Sequence, residues 1–333
     1  MPQITLAGTG ETFDCEAGDT VLRAGLRAGL GLPYECNVGA CGQCRFQLIK
    51  GELEPLTRTF AALSDRDVSR GRSLACQARP ISDCTVHLRL QERYVPQHRP
   101  VRQSARLESI RTLTRDIRAF TFRTALPAKF MPGQYALLHL PAVDAPRPLS
   151  MANLPNPAGL WQFMIREVPG GQASGYLFGR AAEGDEIALD GAYGTAFYRP
   201  SSAEVVCIAG GSGIAPALSI ARAAAADAAC RHIEFFYGAR TPADLCHTDI
   251  ERLPKRADLS VACHAVVSGD VGTAWRGPTG LLHEYLARTL FKPHPSARFY
   301  LAGPPAMVEA VESVLMGPSF GIERTRIHYD RFF

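Results

Sequence analysis

Apolar and polar positions change rhythm twice along the chain. Residues 1–95 carry short alternating runs at 4–6 and 85–90, around a stretch that Thr20 opens and that continues with Val21, Leu22 and Leu26 at helical spacing. This predicts a small mixed sheet with one main helix. Next, the segment 93–103 holds two prolines, several charges and little apolar periodicity, the signature of an exposed linker. From Arg106 the pattern becomes period-two runs at 107–110, 117–123, 135–140, 160–165 and 186–189, broken by Pro and Gly turns. Strands so short and regularly spaced predict a small antiparallel β-barrel. After residue 202 the pattern turns to strand-helix alternation, with apolar strands at 205–209, 233–237, 261–267 and 299–301 and helices at 215–228, 281–290 and 306–315. That alternation predicts a parallel α/β sheet. The chain is thus read as multidomain: 1–95, a linker at 96–103, 104–201 and 202–333.

Three domains suit 333 residues. With 46% hydrophobic and 20% charged residues, nothing points to disorder. Net charge is +4 with both signs mixed, and no basic run is interleaved with aromatics, so a nucleic-acid partner is not expected. The start, Met1-Pro2-Gln3-Ile4-Thr5, lacks the basic and apolar regions of a signal peptide, and no apolar run approaches a membrane span. No membrane association and a cytoplasmic location are the expectation.

Ten cysteines in such a chain argue for metal chemistry before disulfides. Cys36, Cys41, Cys44 and Cys76 are separated by four, two and thirty-one residues, the plant-type spacing for a 2Fe-2S cluster. Three ligands come from one tight loop, which Gly39 and Gly42 let fold back so that its N–H groups point at the sulfurs. A tetrahedral zinc site is the alternative, since Cys41 and Cys44 form a CxxC, but zinc usually takes two such arms. A cluster of this type sits near roughly −400 mV and donates single electrons. Cys15, Cys84, Cys207, Cys230, Cys246 and Cys263 are scattered and read as small buried hydrophobes. The run Pro33-Tyr34-Glu35-Cys36-Asn37-Val38-Gly39-Ala40-Cys41-Gly42-Gln43-Cys44 resembles the ferredoxin domain fused to oxygenase reductases, and the resemblance implies a β-grasp fold.

In the barrel segment, Arg147-Pro148-Leu149-Ser150 resembles the Arg-x-(Tyr/Phe)-Ser/Thr signature of ferredoxin-reductase-like flavoproteins. Gly170-Gly171-Gln172-Ala173-Ser174 resembles their phosphate turn. Arginine offers a permanent charge and forked donors to a diphosphate, and a Gly turn opening a helix aims N–H groups at the same anion. Alone, Arg147 could equally be a surface arginine and the turn a plain cap. Their order, with Gly133-Gln134-Tyr135 before them, points to FAD. By the same resemblance His139 and the strand from Ile165 to Val168 line the cofactor. Leu149 stands where the family places an aromatic ring, so an altered flavin potential or affinity is expected. The terminal Phe333 matches the ring that covers the other flavin face, with core packing as the alternative.

In the last segment a buried strand runs into Gly210-Gly211-Ser212-Gly213 and an Ala-rich helix, which lets backbone approach a diphosphate at the helix N-terminus. Leu301-Ala302-Gly303-Pro304-Pro305-Ala306-Met307 resembles the Cys-Gly-Pro-Pro-x-Met loop near the nicotinamide. Ala302 replaces the cysteine, which implies slower or less selective hydride transfer. Tyr237-Gly238-Ala239-Arg240 ends the strand where the adenosine ribose is read. No acidic side chain follows at once, so Arg240 leans to NADP, whereas the resemblance leans to NADH, and NADH is the choice made.

Taken together, the chain resembles the three-domain reductase components of aromatic-ring oxygenases, in the ferredoxin-NADP reductase-like superfamily. This implies 2Fe-2S, FAD and NADH as cofactors, with a terminal oxygenase or an intermediary ferredoxin as partner. A reductase of a deoxysugar dehydration system shares the layout, and a non-catalytic redox-sensing module is the alternative from a different class.

Overall fold

A computed structural model describes residues 1–56, 62–141, 143–200, 203–246, 250, 253–271, 275–290 and 293–333. The boundary expected at 201–202 lies outside them.

In the first domain, strands β1 (Gln3–Leu6), β2 (Thr12–Asp14), β3 (Arg45–Lys50), β4 (Leu53–Pro55), β5 (Arg72–Leu74), β6 (Ala78–Pro80) and β7 (Cys84–His87) accompany helices α1 (Val21–Arg27) and α2 (Asp65–Ser69). Five of them form a mixed sheet in the order β2-β1-β7-β3-β5, with β1 and β7 parallel and the other pairs antiparallel. Thr20 caps α1, its hydroxyl accepting from the Arg23 N–H at 3.3 Å, and six of the seven helix residues are buried. Only β1, β7 and α1 are foreshadowed by apolar rhythm. Strand β3 buries Phe46 alone, so its sequence carries no alternation to read.

The second domain contains β8 (Val101–Thr112), β9 (Ile117–Thr124), β10 (Tyr135–His139), β11 (Arg147–Ser150), β12 (Leu160–Arg166), helix α3 (Gln172–Gly179) and β13 (Glu186–Tyr193). Its antiparallel sheet runs β11-β10-β13-β8-β9-β12, and a bridge from Met151 to Phe163 brings the two edges together, nearly closing the barrel. Strand β8 begins inside the segment expected as linker, because residues 101–103 already pair with β13.

The third domain stacks β14 (Glu204–Gly210), β15 (His232–Ala239), β16 (Ser260–Val267), β17 (Arg298–Gly303) and β18 (Ile327–Arg331) as a parallel sheet ordered β16-β15-β14-β17-β18. Helices α4 (Ile214–Ala226), α5 (Leu282–Thr289) and α6 (Pro305–Met316) accompany it. The continuous apolar run of β14, with six of seven residues buried, fits a strand covered on both faces. Strand β18 has no such run; its Asp330 and Arg331 bond Ser150 and Glu35, and this polar sequence hid it.

The domains share cores. Tyr135, Leu137 and Tyr193 of the barrel pack into the first domain's cluster, and Ile117, Ala152, Met164 and Tyr198 into the third's. Arg27 ties α1 to β13 through two bonds to Asp190, 2.9 and 2.8 Å long. Five of the six scattered cysteines are buried as expected, but Cys263 is exposed, since β16 is the sheet edge and its alternate residues face outward.

Candidate functional site

The cluster loop follows from its backbone. Asn37, Gly39 and Gly42 adopt φ of 58°, 85° and 73°, the left-handed region that glycine enters at no cost. Asn37, buried beneath the loop, accepts from Arg23 Nε at 3.3 Å, anchoring the loop to α1. Amide groups of Val38 and Cys41 donate to Cys36 Sγ at 3.5 and 3.3 Å. The sulfurs pair two by two: Cys44 and Cys76 lie 3.3 Å apart, and Cys36 touches Cys41, whose thiol together with those amides lowers Cys36 to about 6. A donor set of four thiols in two pairs, with N–H groups aimed at sulfur, fits two irons better than one tetrahedral ion.

Cys36 and Val38 also line a cavity of about 440 Å³ whose remaining walls come from the barrel, from Ser212 and Ala215 of the third domain and from the chain end. Arg147, Pro148, Leu149 and Ser150 stand on one side, on β11. Ile165 and Val168 lie below, with Gly171, Gln172 and Ser174 at the start of α3 and Phe333 at the rim, 56% exposed. No side chain caps α3, so its first N–H groups are open to an anion. An apolar-walled space with an arginine and an uncapped helix N-terminus fits a flavin diphosphate. Ser150 donates to Asp330 at 2.8 Å, and burial raises this carboxyl to about 6.

A second cavity, about 320 Å³, adjoins the first and shares Arg166, Ser212 and Phe332 with it. Gly210, Gly211, Ser212, Arg240, Pro304 and Met307 line it. Helix α4 likewise has no side-chain cap. Gly213 serves close packing, since a Cβ there would collide with the Ala302 carbonyl oxygen, and a Cβ at Gly210 with Met307. Ala302 and Gly303 therefore support the turn from behind and do not line the cavity.

Two expected residues are elsewhere. His139 lies in a separate surface recess with Arg102 and Gln103, and burial, with Arg102 nearby, lowers it to about 4. It falls at the far end of β10 from Tyr135, which does reach the flavin cavity. Tyr237 is fully buried in the core with Phe235 and Ala239, short of the strand end where Gly238, Ala239 and Arg240 meet the cavity.

Arg166, within the strand expected to line the flavin, pairs with Asp116 at 2.6 Å at the join of the cavities, whereas the sequence reading missed Asp244, Asp330 and Phe332. Asp244 follows the Tyr237–Arg240 motif by four residues and lines the second cavity. Thr241 and Arg115 outweigh its burial and hold its pKa low. Glu35, beside Cys36, was also missed: its carbonyl accepts from Tyr135 Oη at 2.7 Å and its carboxylate from Arg331 at 2.9 and 2.8 Å.

Three family models match in order: a 2Fe-2S iron-sulfur cluster binding domain at residues 4–80, an oxidoreductase FAD-binding domain at 104–198 and an oxidoreductase NAD-binding domain at 207–313. The ferredoxin–NAD(P)+ reductase CarAd of Metapseudomonas resinovorans is 39% identical, over 96% of each chain. The xylene/toluene monooxygenase electron transfer component XylA of Pseudomonas putida is 33% identical, over 99% of this chain and 93% of its own. Among solved structures, the ferredoxin reductase in carbazole 1,9a-dioxygenase superposes with a TM-score of 0.91 at 35% identity, covering 100% of this chain and 98% of that one. Among the described residues, no helix is long and apolar enough to cross a membrane.

Proposed function

The chain belongs to the three-domain ferredoxin, FAD and NAD reductases of oxygenase systems, and from that premise we propose how its residues divide the work of an NADH-dependent electron relay. When bound, FAD takes two electrons from the nicotinamide and the 2Fe-2S cluster takes one at a time, so the flavin converts between the two.

Cys36 and Cys41 hold one iron, Cys44 and Cys76 the other. Arg147 and the N–H groups of Gly171, Gln172 and Ser174 bind the flavin diphosphate, while Pro148, Leu149, Ser150, Ile165 and Val168 pack the cofactor. Phe333 covers the open side, where a nicotinamide ring must enter. Gly210, Gly211 and Ser212 hold the dinucleotide diphosphate at the start of α4, backed by Gly213, Ala302 and Gly303, with Pro304 and Met307 opposite. Asp244 in the same wall favours NADH over NADPH, because a carboxylate accepts from a ribose 2′-hydroxyl and repels a 2′-phosphate. No side-chain acid or base is needed; the residues position and tune.

The observation that carries this reading is the wall of the first cavity, which includes Cys36 on one side and Ser212 on the other. The electron acceptor is an oxygenase-system protein, and the likeness to ferredoxin reductases favours a separate ferredoxin over the terminal oxygenase itself. The full-length match leaves the deoxysugar-reductase and non-catalytic readings with no observation in their favour.

Anaerobic titration with NADH, followed by visible and EPR spectra with NADPH in parallel, tests the path. Flavin bleaching followed by a 2Fe-2S signal, at lower NADH than NADPH, is expected. A bleached flavin beside a cluster that stays oxidised would overturn the route through Cys36.

A further inference from the structure

A cavity of about 520 Å³ opens where all three domains meet, and it shares no residue with the two cofactor cavities. Arg93 contributes from the first domain's exit, Arg199 from the segment after β13, and Arg298, Arg324 and His328 from the third domain. The single carboxylate in its wall is Glu35, already engaged fork to fork by Arg331.

The charges in this wall are poorly balanced. Arg93 and Arg298 form no ion pair among the described residues. Among the described residues Arg199 meets no carboxylate: it donates to the carbonyl oxygens of Phe197 and Thr195, at 2.9 and 3.2 Å, and its remaining hydrogen-bond partner is the Tyr300 hydroxyl. Only Arg324 has a carboxylate, that of Glu312. Burial and the nearby Arg298 push Arg199 below its ordinary pKa, and burial with both arginines lowers His328 to about 3, leaving it neutral. His328 Nε2 is buried without a hydrogen-bond partner. Half-buried Arg199 and Arg298 without carboxylates and an unsatisfied ring nitrogen are costs that a bound anion removes, and exposed Arg93, stacked on Tyr94, adds its charge at the mouth. Guanidinium forks match oxyanions in particular, and the volume is that of a small-molecule site.

We propose that this three-domain cleft binds a small multivalent oxyanion, a compound bearing phosphate groups or several carboxylates, on Arg93, Arg199 and Arg298, with His328 Nε2 as neutral partner. Because its ligands come from all three domains, occupancy braces the junction that also carries Glu35 and Gln43 of the cluster loop.

The test uses the holoprotein with FAD and cluster in place and NAD+ saturating the nucleotide site. Pyrophosphate and citrate are titrated by calorimetry and thermal melting against sodium chloride at matched ionic strength. A saturable rise in melting temperature is expected, from pyrophosphate if the ligand is a phosphate compound and from citrate if it is a polycarboxylate. Arg298→Gln, at a side chain without an ion-pair partner, should bind about tenfold more weakly, the effect of losing one charge-assisted hydrogen bond. A rise matched by sodium chloride would overturn the site. So would an affinity unchanged in the double variant Arg93→Gln/Arg298→Gln, because binding would then lie outside this cleft.

Discussion

The cluster loop and the flavin cavity touch at Cys36, yet opposite means hold them in shape. The loop turns back within nine residues on left-handed backbone at Asn37, Gly39 and Gly42, and its anchors, Arg23 and Cys76, belong to its own domain. The cavity has no such local frame. Its walls come from three domains, and bonds between them set its width: Tyr135 to Glu35, Ser150 to Asp330 and Arg331 to Glu35. A centre built locally survives if the domains part, whereas transfer between centres does not. Changes in the loop should therefore remove one activity cleanly, and changes at the junctions should slow the step between activities.

The sharpest form of this contrast is Cys76→Ser. Cys76 is fully buried and pairs with Cys44, so its loss should abolish the 2Fe-2S EPR signal and reduction of a partner ferredoxin. Reduction of a small dye by NADH through the flavin should continue near the native rate. Loss of dye reduction as well would mean that the loop also shapes the cavity, and the contrast would break.

Next in size is Asp190→Asn. Asp190 is 1% exposed and receives both arms of Arg27 across the first junction, as well as the Tyr193 hydroxyl at 2.9 Å. Removing one partner of a buried pair costs about 3 kcal/mol. Thermal unfolding should resolve into two transitions, with the iron-sulfur chromophore lost first. One cooperative transition with an unchanged midpoint would show that Tyr135 and Tyr193 alone hold the domains together.

A smaller and more specific break is Glu35→Gln. The bidentate bond to Arg331 weakens by on the order of 1–2 kcal/mol, while the Glu35 carbonyl keeps its bond from Tyr135. In stopped-flow measurements flavin reduction by NADH should be unchanged and cluster reduction slower. If both steps slowed equally, Glu35 would act on overall folding and not on the alignment of the two centres.

The same difference decides what could be read in the sequence. Four cysteines at fixed spacing must come together whatever the rest of the chain does, and the glycines between them say how. Gly210 to Gly213 and Arg147 to Ser150 were legible for the same reason, each being a short segment with its own chemistry. Glu35 and Arg331, far apart in the chain, form one contact that no local pattern announces. Asp330 and Arg331 lie on β18, whose polar residues gave no strand rhythm. Asp244 escaped because it comes after a turn, four residues beyond the motif, where Thr241 and Arg115 fix it in the cavity wall. His139 sits at the far end of β10 from the cavity and Tyr237 stops short of the end of β15 where its cavity opens, positions that the packing of neighbouring domains sets and the motif does not encode.

The smallest effect should come from a place remote from both regions, and it serves as their control. On β15 and β16, Glu234 bridges His232 and His264, each at 2.6 Å, and His264 stacks on Phe236 at 4.6 Å, with Tyr285 and Glu204 nearby. Burial pushes Glu234 up, but the two imidazoles outweigh it and hold the carboxyl at about 2, while the bond to Glu234 raises His232. The carboxyl is depressed when folded, so its contribution is present above its ordinary value of 4.5 and fades as pH falls toward about 2. His232 is raised when folded, so its contribution is full below 6.5 and fades as pH climbs through the raised value. The cluster is therefore most stabilising between about pH 4.5 and 6.5. Glu234→Gln should lose about 1 kcal/mol at pH 5.5 and less at pH 8.5, a partly exposed ion pair being worth no more. Neither flavin nor cluster reduction should change at either pH. Equal losses at both pH values would show that the bridge acts through neutral hydrogen bonds alone, and a changed cluster rate would mean that the nucleotide sheet transmits strain to the junction.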